Sequence, residues 1–553
     1  MHSLRPYFLL TLLCLILYLP GITTLPMVDR DSPHFAQATR QMIETGDYWQ
    51  VNFQDQPRHL KPPGIYWLQA LSVKIFSNAS TASVWPYRLP GIIGALLAVL
   101  FTFICARTIY DDKTAFLGAA LLAASFLLII ETHLMVTDAV LLLTMVVMQG
   151  SLWRIYCGTR NQESIAWYWI GFFWLAMAVG VFIKGITPLI AGLTILSLVV
   201  IDRQYRWLKQ LKPTLGIVIL LGASAFWLIP FSLAANSNFL MDMIHGDLLP
   251  KVLGGQQSHG MPPGYFLFIF PLMFWPGSLF FGYGCYYGIQ KKKQPSERFL
   301  LIWIIPIWIL FEIIPTKLPE YVLPIYPAVA LLTARGIIAV SDIMSKKNEK
   351  FSGWWFYWLP IYTGIWFLYS LAFAGFIVFA PYYVDHHWQP WAFFSALIVI
   401  AAALIAVLLT WQKKLLIAVK VLMIAVIFSI PPLFQIILPR LNNLWLSEKV
   451  ALMTQKAGSN ILTKQHPLLS IGYGEPSLVF ILGTDKVQYT TLPQLVAALA
   501  NRKPRLILVA EPFLALVEGI LSRSQSHWRQ IDVTKGFNYS DGKWMELSLV
   551  QVN

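Results

Sequence analysis

Charged residues are scarce in this chain: they make up 12% of its 553 residues, whereas 57% of the residues are hydrophobic. A soluble globular domain has roughly 25% charged residues, so this chain has too little polar surface to cover a soluble body of its size. Most of it is therefore expected to lie in lipid. The aromatic content of 14% fits belts of Trp and Tyr at the membrane–water interface.

Cysteine is also scarce, and the common nucleotide and hydrolase motifs are missing. All four cysteines lie in or beside apolar stretches, which excludes a disulfide framework and a CxxC metal pattern. The sequence has no GxxxxGK[ST], no GxGxxG after a strand, no HExxH and no GxSxG, so ATP, nucleotide sugars and serine hydrolysis have no support. The net charge of +14 comes from basic residues in short loops rather than from one face, which disfavours a nucleic-acid partner.

Long apolar runs indicate a mainly α, polytopic membrane protein with about 13 transmembrane helices. The first run lacks a small-residue cleavage site and is interpreted as an uncleaved helix. Basic residues fall in alternate loops, so the positive-inside rule predicts a cytoplasmic N-terminus. The predicted spans are 7–27, 87–107, 114–132, 134–154, 166–184, 186–201, 213–234, 264–288, 298–315, 318–342, 354–381, 391–411 and 414–437.

After the last span the hydrophobic runs shorten to strand length, with a helical pattern between them. The sequence therefore predicts two domains: a membrane domain over 1–437, and an extracytoplasmic α/β domain over 438–553. Because the number of spans is odd, the second domain is expected on the side of the membrane opposite the cytoplasm. Two long outer loops, 28–86 with two interfacial helices and 236–263, belong to the membrane domain.

The first outer loop is dense in ionisable side chains, which are costly near a bilayer. Asp31 stands at a predicted helix start, and Lys61 begins a second helix just before an aromatic run. A carboxylate and a cation at membrane level suit a reaction on a sugar carried by a phosphate-bearing lipid. For any single residue the alternative is a solvated loop. The ionisable residues are Asp29, Arg30, Asp31, His34, Arg40, Asp55, Arg58, His59 and Lys61.

Five further residues are candidates for catalysis or substrate binding. Asp138 and Lys184 stand in tight outer turns; the alternatives are a helix cap for Asp138 and snorkelling for Lys184. His259 ends the second long loop, where a plain surface histidine is the alternative. Lys317 and Tyr321 belong to a proline-rich return into the membrane, where prolines can break helical backbone around a cavity.

Three segments, in register with the predicted topology, resemble the GT-C glycosyltransferases. The stretch 29–48 resembles the first outer loop of bacterial members, 59–68 contains a Lys-Pro-Pro segment, and 317–324 is similar to a later Lys-Leu-Pro motif. The closest group is the ArnT-like 4-amino-4-deoxy-L-arabinose transferases, with the dolichyl-phosphate-mannose protein mannosyltransferases as broader relatives. The likeness covers the membrane portion almost end to end.

The resemblance implies an inverting glycosyltransferase that takes a sugar from a polyprenyl-phosphate donor in an outward-facing cavity. It implies an envelope acceptor, lipid A above others, at the periplasmic face of the bacterial inner membrane. The family's catalytic carboxylates fall on Asp31 and Asp138, its phosphate-binding lysine on Lys61, and its second-loop histidine on His259. The residues expected to bind the donor phosphate or the substrates are Lys61, Arg58, Lys184, His259, Lys317 and Tyr321.

Two positions depart from the family pattern. Ser32 follows Asp31 where the family usually has Glu, and Leu60 precedes Lys61 where it often has Glu. The absence of acidic residues at these two positions weakens the case for a bound metal and for a cationic amino sugar. No cofactor is therefore predicted, a divalent metal is left open, and no sugar is named.

Three alternative functions share some of these features. A protein O-glycosyltransferase of the same fold remains open because the acceptor is not encoded in these motifs. A secondary transporter is disfavoured because the charges gather at the outer face rather than at the midplane, and because no inverted repeat is visible. A non-catalytic scaffold would explain neither Asp31 nor Lys61.

Overall fold

A computed structural model describes residues 4–78, 83–234, 238–253, 260–345, 355–458, 462–500, 505–524 and 527–552. Among the described residues of the first half, the regular structure is helical except for one short antiparallel hairpin, formed by β1 and β2. Its elements are α1 (Arg5–Tyr18), α2 (Asp31–Thr45), β1 (Asn52–Phe53), β2 (Gln56–Pro57), α3 (Gly64–Phe76), α4 (Trp85–Ala106), α5 (Asp112–Ala123), α6 (Phe126–His133), α7 (Asp138–Arg160), α8 (Trp167–Lys184), α9 (Ala191–Asp202) and α10 (Pro213–Ala234).

The middle of the chain begins with two short helices separated by one π-helical turn, Ile244–Leu248, and then returns to long apolar helices. A 3-10 segment, Pro319–Ile325, leads into α16. The helices are α11 (Phe239–Met243), α12 (Leu249–Leu253), α13 (Tyr265–Met273), α14 (Ser278–Gln290), α15 (Pro295–Ile313), α16 (Tyr326–Ser345), α17 (Trp355–Asp385), α18 (Pro390–Trp411) and α19 (Leu415–Pro432).

The C-terminal region has the α/β arrangement expected from its shorter hydrophobic runs. Its five strands pair in the order β4-β3-β5-β7-β6, with β3 parallel to both of its neighbours and the last two pairs antiparallel. The elements are α20 (Leu446–Gly458), β3 (Leu468–Ile471), α21 (Pro476–Leu482), β4 (Val487–Tyr489), α22 (Leu492–Leu499), β5 (Arg505–Ala510), α23 (Glu511–Arg523), β6 (Trp528–Asn538) and β7 (Lys543–Val552). The predicted boundary between 437 and 438 remains a prediction.

Every one of the thirteen predicted apolar stretches contains helix, but they differ in length and straightness. Among the described residues, eight helices are long and apolar enough to cross a membrane, or up to ten if each of two bent helix pairs is one span. The bends lie between α5 and α6 (52°) and between α13 and α14 (117°). The protein is a mainly α, multi-pass membrane protein, and the count of thirteen spans stays a prediction.

One buried arginine fixes where the chain leaves α1 and enters the first long loop. Arg88 in α4 is 1% exposed, and its guanidinium donates hydrogen bonds to the carbonyls of Ile22, Leu25 and Pro26. It also donates to the carbonyl of His133 at the end of α6. Because a buried cation is costly unless its donors are satisfied, these bonds hold the start of the loop against the helix bundle.

Candidate active site

Two adjoining cavities lie where the first loop, the segment 239–251 and the ends of several membrane helices meet. The larger, of about 380 Å³, is walled mainly by aliphatic and aromatic side chains and is called the apolar cavity. The smaller, of about 240 Å³, has many ionisable side chains and is called the polar cavity. Residues lining the polar cavity alone include Asp29, Arg30, Asp31, His34, Arg58 and Glu131; those lining the apolar cavity alone include Leu141, Ile186, Ile190, Leu240, Leu310 and Phe311.

Eight residues line both cavities and form a shared boundary, called the charged wall. Three of them are lysines and three are carboxylates, so the wall carries opposite charges side by side at the edge of an apolar space. Charges in such a place are paired with one another or with a ligand. The residues of the charged wall are Leu60, Lys61, Asp138, Lys184, Asp247, Lys251, Glu320 and Tyr321.

Two of these lysines share one carboxylate. The Lys61 Nζ lies 2.5 Å from one oxygen of Asp247, and the Lys251 Nζ lies 2.7 Å from the other. Burial and the neighbouring Lys251 lower the pKa of the Lys61 ammonium. One carboxylate cannot neutralise two ammonium groups, so when both lysines are protonated the pair keeps a positive charge that a phosphate can match.

A second ion pair crosses the wall between two helix ends. Asp138 is the first residue of α7 and Lys184 is the last of α8, and the Lys184 Nζ lies 2.5 Å from the Asp138 Oδ1. Each charge suits its helix end, because helix N-termini favour anions and C-termini favour cations. Gly185 ends α8 with φ +63°, a left-handed conformation that glycine adopts without strain. The Thr137 hydroxyl donates to the other Asp138 oxygen at 3.1 Å.

Asp31 faces the polar cavity from the first turn of α2. Its side chain is exposed, whereas the next two residues are buried, so the carboxylate points away from the packed side of the helix. His34 and Arg58 line the same space. Burial and the charge of Arg58 lower the pKa of His34 to about 4, so its ring is neutral at neutral pH. The neutral His34 Nδ1 is buried without a hydrogen-bond partner.

Sequence reasoning did not single out four charged residues at this site. Asp247 and Lys251 are spaced i, i+4 in a helical segment, which places both on one face. This spacing could have identified them as a charged pair from the sequence. Glu131 and Glu320 lie within segments singled out for Asp138 and for Lys317, respectively. Glu131 is 3% exposed and lines the polar cavity, and its Oε2 is buried without a hydrogen-bond partner.

Tyr321 is in the charged wall, but Lys317 is not among the cavity-lining residues. The Tyr321 hydroxyl is buried without a hydrogen-bond partner, and the Lys184 Nζ lies 5.7 Å from its ring centre. The Lys317 ammonium instead donates to the carbonyls of Phe311, Glu312 and Ile314, where it caps the end of α15. The remaining candidate, His259, lies outside the described residues.

The described residues contain no group of three or more His, Cys, Asp or Glu side chains arranged to hold a metal ion. The charged groups present are those that a phosphate-bearing ligand requires. Lysines stabilise phosphate oxygens, and carboxylates accept hydroxyl protons or hydrogen bonds. An apolar space leads away from them. The arrangement therefore suits an amphiphile with an anionic head and a long apolar tail.

Several known proteins with similar sequences are named as sugar transferases. Residues 60–229 match the family described as dolichyl-phosphate-mannose-protein mannosyltransferase. An undecaprenyl phosphate-alpha-4-amino-4-deoxy-L-arabinose arabinosyl transferase of Proteus mirabilis is 22% identical over 69% of this chain and 68% of its own length. A similarly named protein of Pseudomonas fluorescens is 24% identical over 67% of this chain and 65% of its own length. An uncharacterized protein of Aquifex aeolicus is 24% identical over 60% of this chain, and only 64% of its length is matched.

A solved structure shares the fold over nearly the whole chain. ArnT from Cupriavidus metallidurans, bound to undecaprenyl phosphate, superposes with a TM-score of 0.74 at 16% identity, over 99% of this chain and 98% of that one. The chain is ArnT-like: it resembles ArnT relatives in sequence and shares the fold of ArnT. This confirms the predicted resemblance to the ArnT-like glycosyltransferases and the mainly α membrane fold.

More distant structures share the fold less completely. The archaeal oligosaccharyltransferase AglB from Archaeoglobus fulgidus has a TM-score of 0.53 at 13% identity, over 98% of this chain and 73% of that one. The ArnT-like protein is thus much closer in shape to ArnT than to this larger relative. The identities are too low to transfer any residue's role, so the site residues are argued from their geometry.

Proposed function

We propose that this ArnT-like glycosyltransferase moves a sugar from a polyprenyl-phosphate donor to an envelope acceptor, lipid A above others, at the periplasmic face of the inner membrane. The observation that carries the proposal is the charged wall between the two cavities. It would bind the donor phosphate, with the prenyl chain in the apolar cavity and the sugar in the polar cavity. The names of the Proteus mirabilis and Pseudomonas fluorescens relatives, which specify undecaprenyl phosphate, support the same donor class.

The proposed reaction is a displacement at the anomeric carbon. An acceptor oxygen forms a bond to that carbon while the bond from the carbon to the phosphate oxygen breaks, and the phosphate leaves with the electron pair. Lys61 and Lys251 stabilise the charge that builds on the departing phosphate, an effect that is often the largest catalytic contribution. Lys184 is held by Asp138 in the same wall and adds positive potential.

Asp31 faces the polar cavity, where the acceptor would approach the sugar. With a hydroxyl acceptor, Asp31 takes the proton as the new bond forms. With a phosphate acceptor, which is already anionic, no proton needs to be removed, and Asp31 stabilises the positive charge that builds on the sugar. In both cases attack from the side opposite the phosphate inverts the anomeric carbon.

The domain arrangement follows from this proposal. Residues 1–437 form the membrane domain, and residues 438–553 form a domain on the periplasmic side, with the N-terminus cytoplasmic. The contacts that α2 makes with the C-terminal region support placing the two on one side of the membrane. Gln37 Nε2 donates to Thr484 Oγ1 at 2.8 Å, and the Arg40 guanidinium donates to the carbonyl of Phe480.

The test is mass spectrometry of lipid A and other envelope glycans from cells that contain wild-type protein, Asp31→Asn or Lys61→Ala at matched expression. We expect a sugar-sized mass that is present with wild type and lost with both variants. Asp112→Asn is the matched control, because Asp112 also opens a helix but lines neither cavity. A sugar found on protein instead would favour a protein O-glycosyltransferase. Unchanged glycans in both variants would contradict the catalytic assignment and favour a transporter.

A further inference from the structure

The turn between β6 and β7, residues 539–542, reaches the loop that immediately precedes Asp31. The Asp29 backbone N–H donates to the Tyr539 hydroxyl, and the Arg30 guanidinium donates to the carbonyl of Ser540. These residues lie at opposite ends of the sequence, so the contact exists only in the folded chain. It joins the C-terminal sheet directly to the two residues that precede Asp31.

A second contact secures the same loop from α21. The Ser477 N–H, in the first turn of α21, donates to the Asp29 Oδ1 at 3.1 Å. Glu475 then links α21 to the hairpin, because its carboxylate accepts from the Asn538 amide at 2.8 Å and from the Ser540 hydroxyl at 3.1 Å. The loop is therefore held at two points that are themselves tied together.

The backbone at Arg30 explains why such support is needed. Arg30 has φ +80° and ψ −115°, a conformation that residues with a Cβ rarely adopt, and it directly precedes the first residue of α2. Strain of this kind persists only where the surrounding structure imposes it. If the contacts were lost, relaxation of Arg30 would turn the start of α2 and move the Asp31 carboxylate.

We propose that the C-terminal hairpin turn, through Tyr539 and Ser540, is a positioning element that holds strained Arg30 and so aims Asp31 into the polar cavity. The inference rests on the proposed function, because it assigns a role relative to Asp31 in sugar transfer. Tyr539, Ser540 and Glu475 are positioning residues that act through the backbone of the loop. The C-terminal region thus belongs to the active site although it contributes no group to the reaction.

The first test is the transfer rate of the full-length Tyr539→Phe variant, with an undecaprenyl-phosphate sugar as donor. Phenylalanine keeps the ring that packs against Trp445 and removes only the hydroxyl. We expect kcat to fall by about three- to tenfold, as for the loss of one hydrogen bond, with an unchanged KM for the donor. Tyr369→Phe, which removes a hydroxyl bond to the Phe268 carbonyl, is the control. An unchanged kcat in Tyr539→Phe would overturn the proposal.

Two substitutions at Arg30 separate backbone strain from loss of the side chain. Arg30→Ala and Arg30→Gly both remove the guanidinium, but only glycine adopts a positive φ without strain. We expect Arg30→Gly to keep a clearly higher kcat than Arg30→Ala. Equal rates would mean that Arg30 acts through its side chain alone, which would also overturn the proposal.

Hydrogen exchange needs no turnover, so it tests the positioning contact independently of the proposed donor. Hydrogen exchange of amides in residues 28–36 should be faster in Tyr539→Phe than in wild type, with exchange in α7 unchanged. If exchange rises but wild type transfers no sugar from a polyprenyl-phosphate donor, the positioning contact stands and the donor assignment fails. If exchange in residues 28–36 is unchanged, the hairpin does not hold the loop.

Discussion

At the residue scale, the site is distinguished by how its charges are partnered. Lys61 and Lys251 share Asp247, and Lys184 pairs with Asp138, so each cation of the charged wall already has an anion beside it. Glu131 differs, because one of its buried oxygens has no hydrogen-bond partner. A buried polar atom without a partner costs free energy, and it is most simply explained by a ligand that donates to it.

We predict that Glu131 accepts a hydrogen bond from a hydroxyl of the transferred sugar. Glu131→Gln should lower kcat/KM by about three- to tenfold, because the loss of one hydrogen bond costs about 0.5–1.5 kcal/mol. The variant should unfold at the wild-type temperature or above, since the protein itself offers that oxygen no partner. Steady-state kinetics and thermal unfolding of the same preparation measure both quantities.

Glu297→Gln is the matched control for this prediction. Glu297 is also fully buried, but its carboxylate accepts from Tyr110 at 3.2 Å and from Ser296, away from both cavities. Its substitution should lower the unfolding temperature with little effect on the rate per folded molecule. If Glu131→Gln instead lost stability and kept its rate, its role would be structural.

At the scale of elements, α2 and the C-terminal region form one unit around the first loop. Their contact contains two facing carboxylates, Asp29 and Glu475. Burial and the neighbouring Glu475 raise the pKa of Asp29 from 3.8 to about 7. Burial also raises the pKa of Glu475. The stability of this junction is therefore expected to depend on pH between about 4 and 7.

The sign of the effect follows from the raised pKa of Asp29. Between about pH 4 and pH 7 the folded state holds a proton that the unfolded state has released, so stability falls as the pH rises through this range. Asp29→Asn removes the titration and keeps an oxygen that can accept from Ser477. We expect the unfolding temperature of wild type to fall relative to that of Asp29→Asn as the pH is raised from about 4 to 8.

Thermal unfolding of both proteins across this pH range checks the prediction. Asp485→Asn provides the control, because Asp485 is paired with Lys464 on the exposed surface of the same region. Its difference from wild type should stay constant with pH. Parallel curves for wild type and Asp29→Asn would show that Asp29 does not titrate in this range.

At the scale of the whole molecule, the two cavities meet only because distant helices converge. The apolar cavity takes its lining from α7, α15, the segment 186–190 and the segment 240–251. It ends at the charged wall, beyond which the polar cavity begins. This order, apolar, charged and then polar, matches the order of groups in a polyprenyl-phosphate sugar.

We predict that filling the apolar cavity weakens binding of long donors selectively. Ile190→Trp should raise the KM for an undecaprenyl-phosphate donor and leave the KM for a short-chain prenyl analogue nearly unchanged. The prenyl chain lies away from the reacting carbon, so its contacts stabilise the ground state and the transition state equally. Losing such contacts raises KM and leaves kcat unchanged. Val200→Trp, on the exposed face of α9, is the control. An equal rise in KM for both donors would argue against a prenyl chain in this cavity.

Much of the fold was predictable because lipid imposes a simple rule on sequence. Long apolar runs must form helices to satisfy their backbone groups, and each predicted run does contain helix. Bends such as that between α13 and α14 were not predictable in the same way, because hydropathy reports composition and not direction. Asp31, Lys61, Asp138, Lys184 and Tyr321 were identified from local motifs, and the structure brings all five to the two cavities.

Lys317 shows the limit of motif reasoning. It belongs to a segment that resembles the family, yet its ammonium caps α15 through three carbonyls. Asp247 and Lys251 show the converse, since no family motif pointed to them. Which way a side chain points depends on the packing of its helix against distant neighbours, and that packing is not written in any short stretch of sequence.

The sequence by itself determined that this chain lies in a membrane, that it has an ArnT-like GT-C fold, and which loop carries the candidate carboxylate and lysine. These follow from composition, hydropathy and local motifs, which act over a few residues. Only the tertiary structure decided which charges pair, where the apolar and polar cavities meet, and that the C-terminal hairpin contacts the loop before Asp31. Those features depend on contacts between residues far apart in the chain, and such contacts form only when helices and sheet pack together.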